Sequence, residues 1–183
     1  MVDKRLQDRL LKLERIDQSI RTPPREKWVY SRKMSENDSK KEEWLHAQIR
    51  NIVNEYGLPT ISRVGKRGET AAWLLIQHCD TDVRFQKRCL NRAREAVKRK
   101  DFSPEHMAYL TDRVRVNLGM PQLYGTQFHR NKVGKLIPRP IEDKKGLDAR
   151  RLAFGMATFE EYRALMLSRS WNMQKKKEKE KKD

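Results

Sequence analysis

The stretch Ala71-Ala72-Trp73-Leu74-Leu75-Ile76-Gln77-His78 decides the fold. At about 3.6 residues per helical turn, its successive apolar side chains point to every side of the axis and leave no face for water. A helix from about Glu69 to Cys79 therefore belongs in the middle of a bundle, with other helices packed around it. The apolar run Ala71 to Ile76 is the longest in the chain. It is far short of the roughly 20 residues needed to cross a bilayer, so membrane insertion is not expected.

On its N-terminal side, Leu58 to Gly68 reads as a connector with Pro59, Gly65 and Gly68. Before it, a helix from about Asn37 or Asp38 to Tyr56 carries the stripe Leu45, Ile49, Ile52, Val53 and stops at Gly57. A first helix over Asp3 to Arg21 aligns Leu6, Leu10, Leu13 and Ile20, and Thr22-Pro23-Pro24 ends it. Arg25 to Lys41 is polar and basic, with Trp28, Val29 and Tyr30 its apolar cluster, and reads as a loop or flexible insertion.

On the C-terminal side, Asp80 or Thr81 caps a fourth helix to about Arg99, apolar along Phe85, Cys89, Ala93 and Val97 and basic on its other face. Ser103 as N-cap and Pro104 in the first turn start a fifth helix that ends at Gly119. From Pro121 to Asp143 the helical period is gone, and two short extended stretches around Gly134 predict a small hairpin. A short helix at Asp148 to Phe154 and a last one at Thr158 to Trp171 follow, the latter opened by a Thr158/Glu161 capping box. The expectation is a mainly α protein: a compact helical domain of about six or seven helices with a short irregular or hairpin segment near 121–143. It divides into an N-terminal helix and basic flexible insertion (1–43), the helical domain (44–171) and a disordered lysine-rich tail (172–183).

Charge bears on partners. The chain carries 42 Lys+Arg against 25 Asp+Glu, a formal +17. A field of that sign attracts polyanions, either nucleic acid or a phosphorylated small molecule. The same charge also serves as a solubility surface. Two cysteines, Cys79 and Cys89, form no CxxC pair and read as buried reduced thiols. With no apolar run behind Met1, a cytoplasmic location is expected.

No phosphate-binding loop, dinucleotide fingerprint, nucleophile elbow or zinc spacing occurs, so no cofactor is expected. The four histidines, His46, His78, His106 and His129, are too scattered for a metal site. His106, in the first turn of the fifth helix, reads as exposed.

What points to chemistry is a set of polar residues where apolar ones belong. Gln77 and His78 close the central helix, and Asp112 with Arg113 interrupts the fifth. Gln122, Tyr124, Thr126 and Gln127 follow in the irregular segment, where Gly125 would let the backbone approach a ligand. His78 and Asp112 are the catalytic candidates: imidazole exchanges a proton near neutral pH, and a carboxylate beside it fixes its tautomer. Arg113 offers an anion fork, and Gln122, Tyr124, Thr126 and Gln127 supply hydrogen-bonding edges. Asp17 falls on the apolar stripe of the first helix, either buried with a partner or reaching water at a frayed end. A structural reading stands beside all of these: an Asp112–Arg113 pair tying the helix to the loop, glutamines satisfying buried backbone, a core histidine.

Several of these residues lie in strings that resemble a bacterial family catalogued as domain of unknown function 6624. The strings are Gly57-Leu58-Pro59-Thr60, Ala71 to His78, Asp82 to Gln86, Ala108 to Val114, Pro121-Gln122-Leu123-Tyr124-Gly125-Thr126-Gln127, Pro140 to Asp143 and Asp148 to Arg151. The resemblance covers about residues 45 to 165, and weakly the first helix through Asp17-Gln18 and Arg21. It implies a mostly helical domain whose polar set adds Arg21 to Asp17, His78, Asp112, Arg113, Gln122, Tyr124 and Gln127, and it implies no activity. The insertion, the additional basic residues and the lysine tail depart from the pattern.

Together these readings predict a polar pocket that binds or processes a phosphate-bearing or nucleotide-like ligand. His78 would be its acid/base, Asp112 or Asp17 the orienter, with Asp17, Arg21, Gln77, Arg113, Gln122, Tyr124, Thr126 and Gln127 around the ligand. The competing expectation is a nucleic-acid-binding or ribonucleoprotein-associated module using the basic surface, with Trp28, Tyr30 and Trp171 for stacking.

Overall fold

The apolar run forms the C-terminal part of one long helix, Ile61–His78, in a computed structural model that describes residues 1–21 and 35–168. In chain order the elements are α1 (Lys4–Arg21), α2 (Glu36–Tyr56), α3 (Ile61–His78), α4 (Val83–Lys98), α5 (Pro104–Asn117), β1 (Phe128–Arg130), β2 (Leu136–Pro138), α6 (Leu147–Leu152) and α7 (159–168). The chain is mainly α with one short antiparallel hairpin. The proline stop at 22–24, the basic insertion to residue 34, Trp28, Tyr30 and Trp171, and the lysine tail lie outside the described residues.

Two compact units make up the chain, Met1–Leu110 and Thr111–Asp183. In the first, α3 packs against α1, α2 and α4. Leu10, Ile49, Ile52, Val64, Ala71, Ala72, Ile76, Phe85 and Cys89 are shut off from solvent there. Apolar burial of this kind stabilises by about 25 cal/mol per Å² removed from water. Cys79 and Cys89 are both buried and free, and burial pushes the Cys89 thiol up to about 12, so the group is inert at neutral pH.

Three boundaries differ from the sequence reading. Helix α3 begins at Ile61 inside the expected connector, because its cap comes from far along the chain. Thr60 makes no side-chain cap; Asp101 accepts from the Ser62 amide at 2.6 Å and the Ser62 hydroxyl at 2.9 Å. The helix kinks at Gly65, whose φ of 69° and ψ of 167° fall in a region open in practice to glycine alone. Helix α2 starts at Glu36, just ahead of the expected Asn37 or Asp38 and inside the stretch also read as loop, since the Ser35 hydroxyl accepts from the Asp38 amide at 3.1 Å. Helix α4 is capped by Asp82, which accepts from the Phe85 amide at 2.9 Å, and not by Asp80 or Thr81.

The second unit contains the hairpin, in the register Phe128↔Pro138, His129↔Ile137, Arg130↔Leu136. Asn131 shapes its turn by accepting from the amides of Val133 and Lys135 at 3.1 and 2.9 Å. Thr158 and Glu161 close a reciprocal capping box at the start of α7, with bonds of 2.7 to 3.4 Å.

Candidate functional site

Helix α1 buries Leu6, Leu10, Leu13 and Asp17 on one stripe, so α3 receives a carboxylate where a fourth apolar residue would be expected. Asp17 is 2% exposed. It is not stranded: His78 Nδ1, at the last turn of α3, lies 2.9 and 3.0 Å from its two oxygens. The Arg21 Nε donates to it at 2.9 Å and the Gln18 amide at 3.0 Å. Arg21 in turn gives an Nη2 bond of 2.8 Å to Glu42 on α2. Burial works against ionisation of Asp17, but the bonds and charges of His78 and Arg21 outweigh it and hold the carboxyl below the usual range.

This arrangement fixes the imidazole. With the Nδ1 proton directed at Asp17, Nε2 of His78 is left as the atom that takes or gives a proton. The His78 imidazole makes no other hydrogen bond among the described residues, and the side chain keeps 12% of its exposure. Its neighbour Gln77, largely buried, contributes its main-chain carbonyl to Gln86 Nε2 at 2.9 Å.

A second imidazole lies within electrostatic reach of Asp17 and Arg21. His46 on α2 is buried, and its Nε2 has no hydrogen-bond partner among the described residues. Burial holds its pKa below the ordinary histidine value, and Glu42, Arg21, Arg50 and Asp17 are the charges that act on it. Sequence reasoning set His46 aside as one of four scattered histidines. The available signal was its place on the α2 stripe, three residues before Ile49 and seven before Val53.

The remaining candidates lie in the second unit, gathered by a different device. Asp112, fully buried in α5, reaches the following loop. Its carboxylate accepts from the amides of Leu123 at 2.7 Å, Tyr124 at 3.0 Å and Thr126 at 2.9 Å, and from the Thr126 hydroxyl at 2.9 Å. Burial pushes this carboxyl above the usual range, opposed by those same donors. Gln122 and Gln127 lock the loop: the Gln122 side chain accepts from the Gln127 amide at 2.7 Å and donates to the carbonyls of Gln127 and Arg139 at 3.0 and 2.8 Å. Gln127 Oε1 accepts from Arg113 at 3.0 Å, and its Nε2 donates to Thr126 Oγ1 at 3.1 Å.

Tyr124 is held at both ends of its main chain. Its amide goes to Asp112, and its carbonyl accepts from Arg151, a guanidinium 1% exposed that also donates to the Ala157 carbonyl at 2.7 Å. Gly125 has a structural role in place of the expected ligand approach. At its φ of 68° a Cβ would stand 2.7 Å from the Phe159 ring, so the space is already filled by α7.

Sequence reasoning missed one pair entirely. His106 is half-buried, not exposed: its Nδ1 lies 3.0 Å from both oxygens of Glu69, a carboxylate 2% exposed on α3. Its ring stacks on Trp73 at 4.1 Å, with 6° between the planes. Glu69, just ahead of the apolar run, was the only hint.

Among the described residues no three His, Cys, Asp or Glu side chains gather as metal ligands, and no helix is long and apolar enough to cross a membrane.

The model of a family of unknown function, DUF6624, matches residues 4–176. The chain belongs to this family. The match to DUF6624 takes in α1 with Asp17 and Arg21 as well as the loop wound around Asp112. No curated protein and no solved structure matches the chain.

Proposed function

We propose that the first unit binds or processes a phosphate-bearing or nucleotide-like ligand at the Asp17–His78 pair. His78 Nε2 is the proton-transferring atom, Asp17 its orienter, and Arg21 the cation nearest the ligand's anionic group. The observation that carries this reading is the grip of both Asp17 oxygens on His78 Nδ1 at 2.9 and 3.0 Å, which leaves Nε2 open. His46 supports it as a second imidazole whose environment favours the neutral form, a division of acid and base roles set by surroundings. The formal +17 favours an anionic ligand over a neutral one.

The test is a thermal-shift and turnover panel of nucleotides and phosphate esters on the full chain. Wild type, His78→Ala and Asp17→Asn would be compared, with circular dichroism to establish folding. The proposal expects a ligand that raises the wild-type Tm and leaves folded His78→Ala unmoved. A panel that shifts neither protein, or both alike, sinks it.

A second reading rests on α4, which exposes Arg84, Lys87, Arg88, Arg92, Arg94 and Lys98. Such a surface binds nucleic-acid backbone with an affinity that falls steeply as salt rises. Fluorescence anisotropy with random RNA and DNA at low and moderate salt tests it. No binding at low salt removes this reading without touching the first.

A further inference from the structure

Glu69 and His78 both project from α3. They are nine residues apart, about two and a half turns at roughly 3.6 residues per turn, so they leave opposite faces of the helix. The chemistry proposed for His78 therefore does not absorb the Glu69–His106 pair.

That second pair opens on a cleft. The walls of a cavity of ≈ 520 Å³ include the apolar Ile61, Val97 and Phe102 and the basic Lys66, Lys100 and His106, with the Glu69 carboxylate that holds His106 also on its lining. Its size lies within the range of about 300–1,000 Å³ typical of small-molecule sites. The rim is tied by hydrogen bonds: Asp101 accepts from the Ser62 amide and hydroxyl at the start of α3, and the Ile61 amide donates to the Asp101 carbonyl at 2.9 Å. The histidine is fixed as well, held by Glu69 at Nδ1 and by Trp73 across its face. Its Nε2 makes no bond among the described residues, and neither lysine ammonium makes an ion pair there.

Lys100 supplies an independent sign. It lies just past the C-cap of α4 with a φ of 57°, the only non-glycine at positive φ among the described residues. The Asp101 amide bonds the Ala96 carbonyl and the Lys100 amide the Val97 carbonyl, both at 2.9 Å. That is the helix stop whose left-handed position normally goes to glycine. A lysine here bears a conformational cost glycine would avoid, and its side chain lines the cleft.

We propose that this cleft is a second ligand site, for a small organic anion with an apolar body, a phosphate monoester or a carboxylate. The body rests on Ile61, Val97 and Phe102. Lys66 and Lys100 hold the anionic group, and His106 Nε2 contacts it.

The experiment is amide and indole NMR titration of the full chain with phenyl phosphate, benzoate and inorganic phosphate. Wild type, Lys66→Ala/Lys100→Gly and His78→Ala would be compared. The proposal expects saturable binding of phenyl phosphate or benzoate, tighter than inorganic phosphate, with shifts at Lys66, Thr70, Ser103, His106 and the Trp73 indole. Which of the two organic probes binds separates ester from carboxylate. In the double variant the Kd rises at least about tenfold. In His78→Ala it is unchanged, whatever becomes of the site at Asp17. The Lys100→Gly single variant keeps a Tm at or above that of wild type while binding weakens, which a purely structural lysine would not produce. Absence of saturable binding by both organic probes, shifts that map elsewhere, or loss of binding in His78→Ala alone overturns it.

Discussion

Asp17 on α1 and His78 on α3 are joined across 61 positions of sequence by a two-oxygen grip on a single imidazole nitrogen. The carboxylate is fully enclosed, whereas the imidazole still touches solvent. Charge is thus stored inside and presented at the rim through a ring of fixed orientation, which is what a positioned base requires.

Replacing Asp17 by Asn keeps the shape and removes the charge. Hydrogen bonds to charged groups contribute about 1.5–3 kcal/mol each, so a stability loss of about that size is expected at pH 7. The pH profile carries the sharper signature. Because the folded pKa of Asp17 is depressed, its contribution is present above the unfolded value of about 3.9 and is lost as pH falls through the folded one. Urea unfolding from pH 7 to pH 2 will show a flatter acid limb for Asp17→Asn; parallel profiles would mean the carboxylate makes no such contribution.

His46 titrates in a different window. Burial lowers its folded pKa below the unfolded value of about 6.5, so the unfolded chain takes up a proton that the folded chain refuses. The wild type is therefore expected to lose stability as pH drops below about 6.5, and His46→Gln to lose less over the same interval. Denaturant midpoints at pH 7.5 and pH 5 measure the difference. An equal drop in both proteins would place the loss elsewhere.

The helices were legible where pattern and local chemistry agreed. The apolar run at 71–76, the Ser103–Pro104 start of α5 and the Thr158/Glu161 box all lie where the residues put them. The beginning of α3 was not, because its cap is Asp101, 39 positions away from Ser62. The site divides in the same manner. Asp17 stood out as a carboxylate on an oily stripe, and the sequence offered it beside Asp112 as the orienter of His78 with nothing local to choose between the two. His106 was set aside because its surroundings, Glu69 and the Trp73 face, come from another helix. For Asp112 the sequence offered a pairing with Arg113, while the carboxylate holds main-chain amides of the loop instead.

That loop gives the third prediction. Asp112 accepts from four donors on three residues, and Asn offers one acceptor oxygen and turns an NH2 toward the rest. Leaving buried amides unsatisfied costs about 1–3 kcal/mol per group, so Asp112→Asn is expected to destabilise by at least that much. Hydrogen exchange should speed up at Leu123, Tyr124 and Thr126 before any other segment of the second unit. Unchanged protection at those amides would contradict the role assigned to the carboxylate.

The last prediction concerns the kink that sets up the first unit. At φ 69° and ψ 167°, Gly65 occupies a conformation that a side chain resists, and an added Cβ would stand 2.9 Å from Gln7 Nε2. That same Gln7 nitrogen donates to the Val64 carbonyl at 2.7 Å, so the kink and the docking of α1 are a single feature. Gly65→Ala must strain the backbone or straighten the helix and break the bond, at about 1–3 kcal/mol either way. Asp17 rides on α1, so a shift of that helix also loosens its hold on His78. The expected result is a lower denaturant midpoint together with a changed His78 imidazole chemical shift. A fall in stability with the His78 resonance unmoved would show that the kink supports folding alone and does not position the pair.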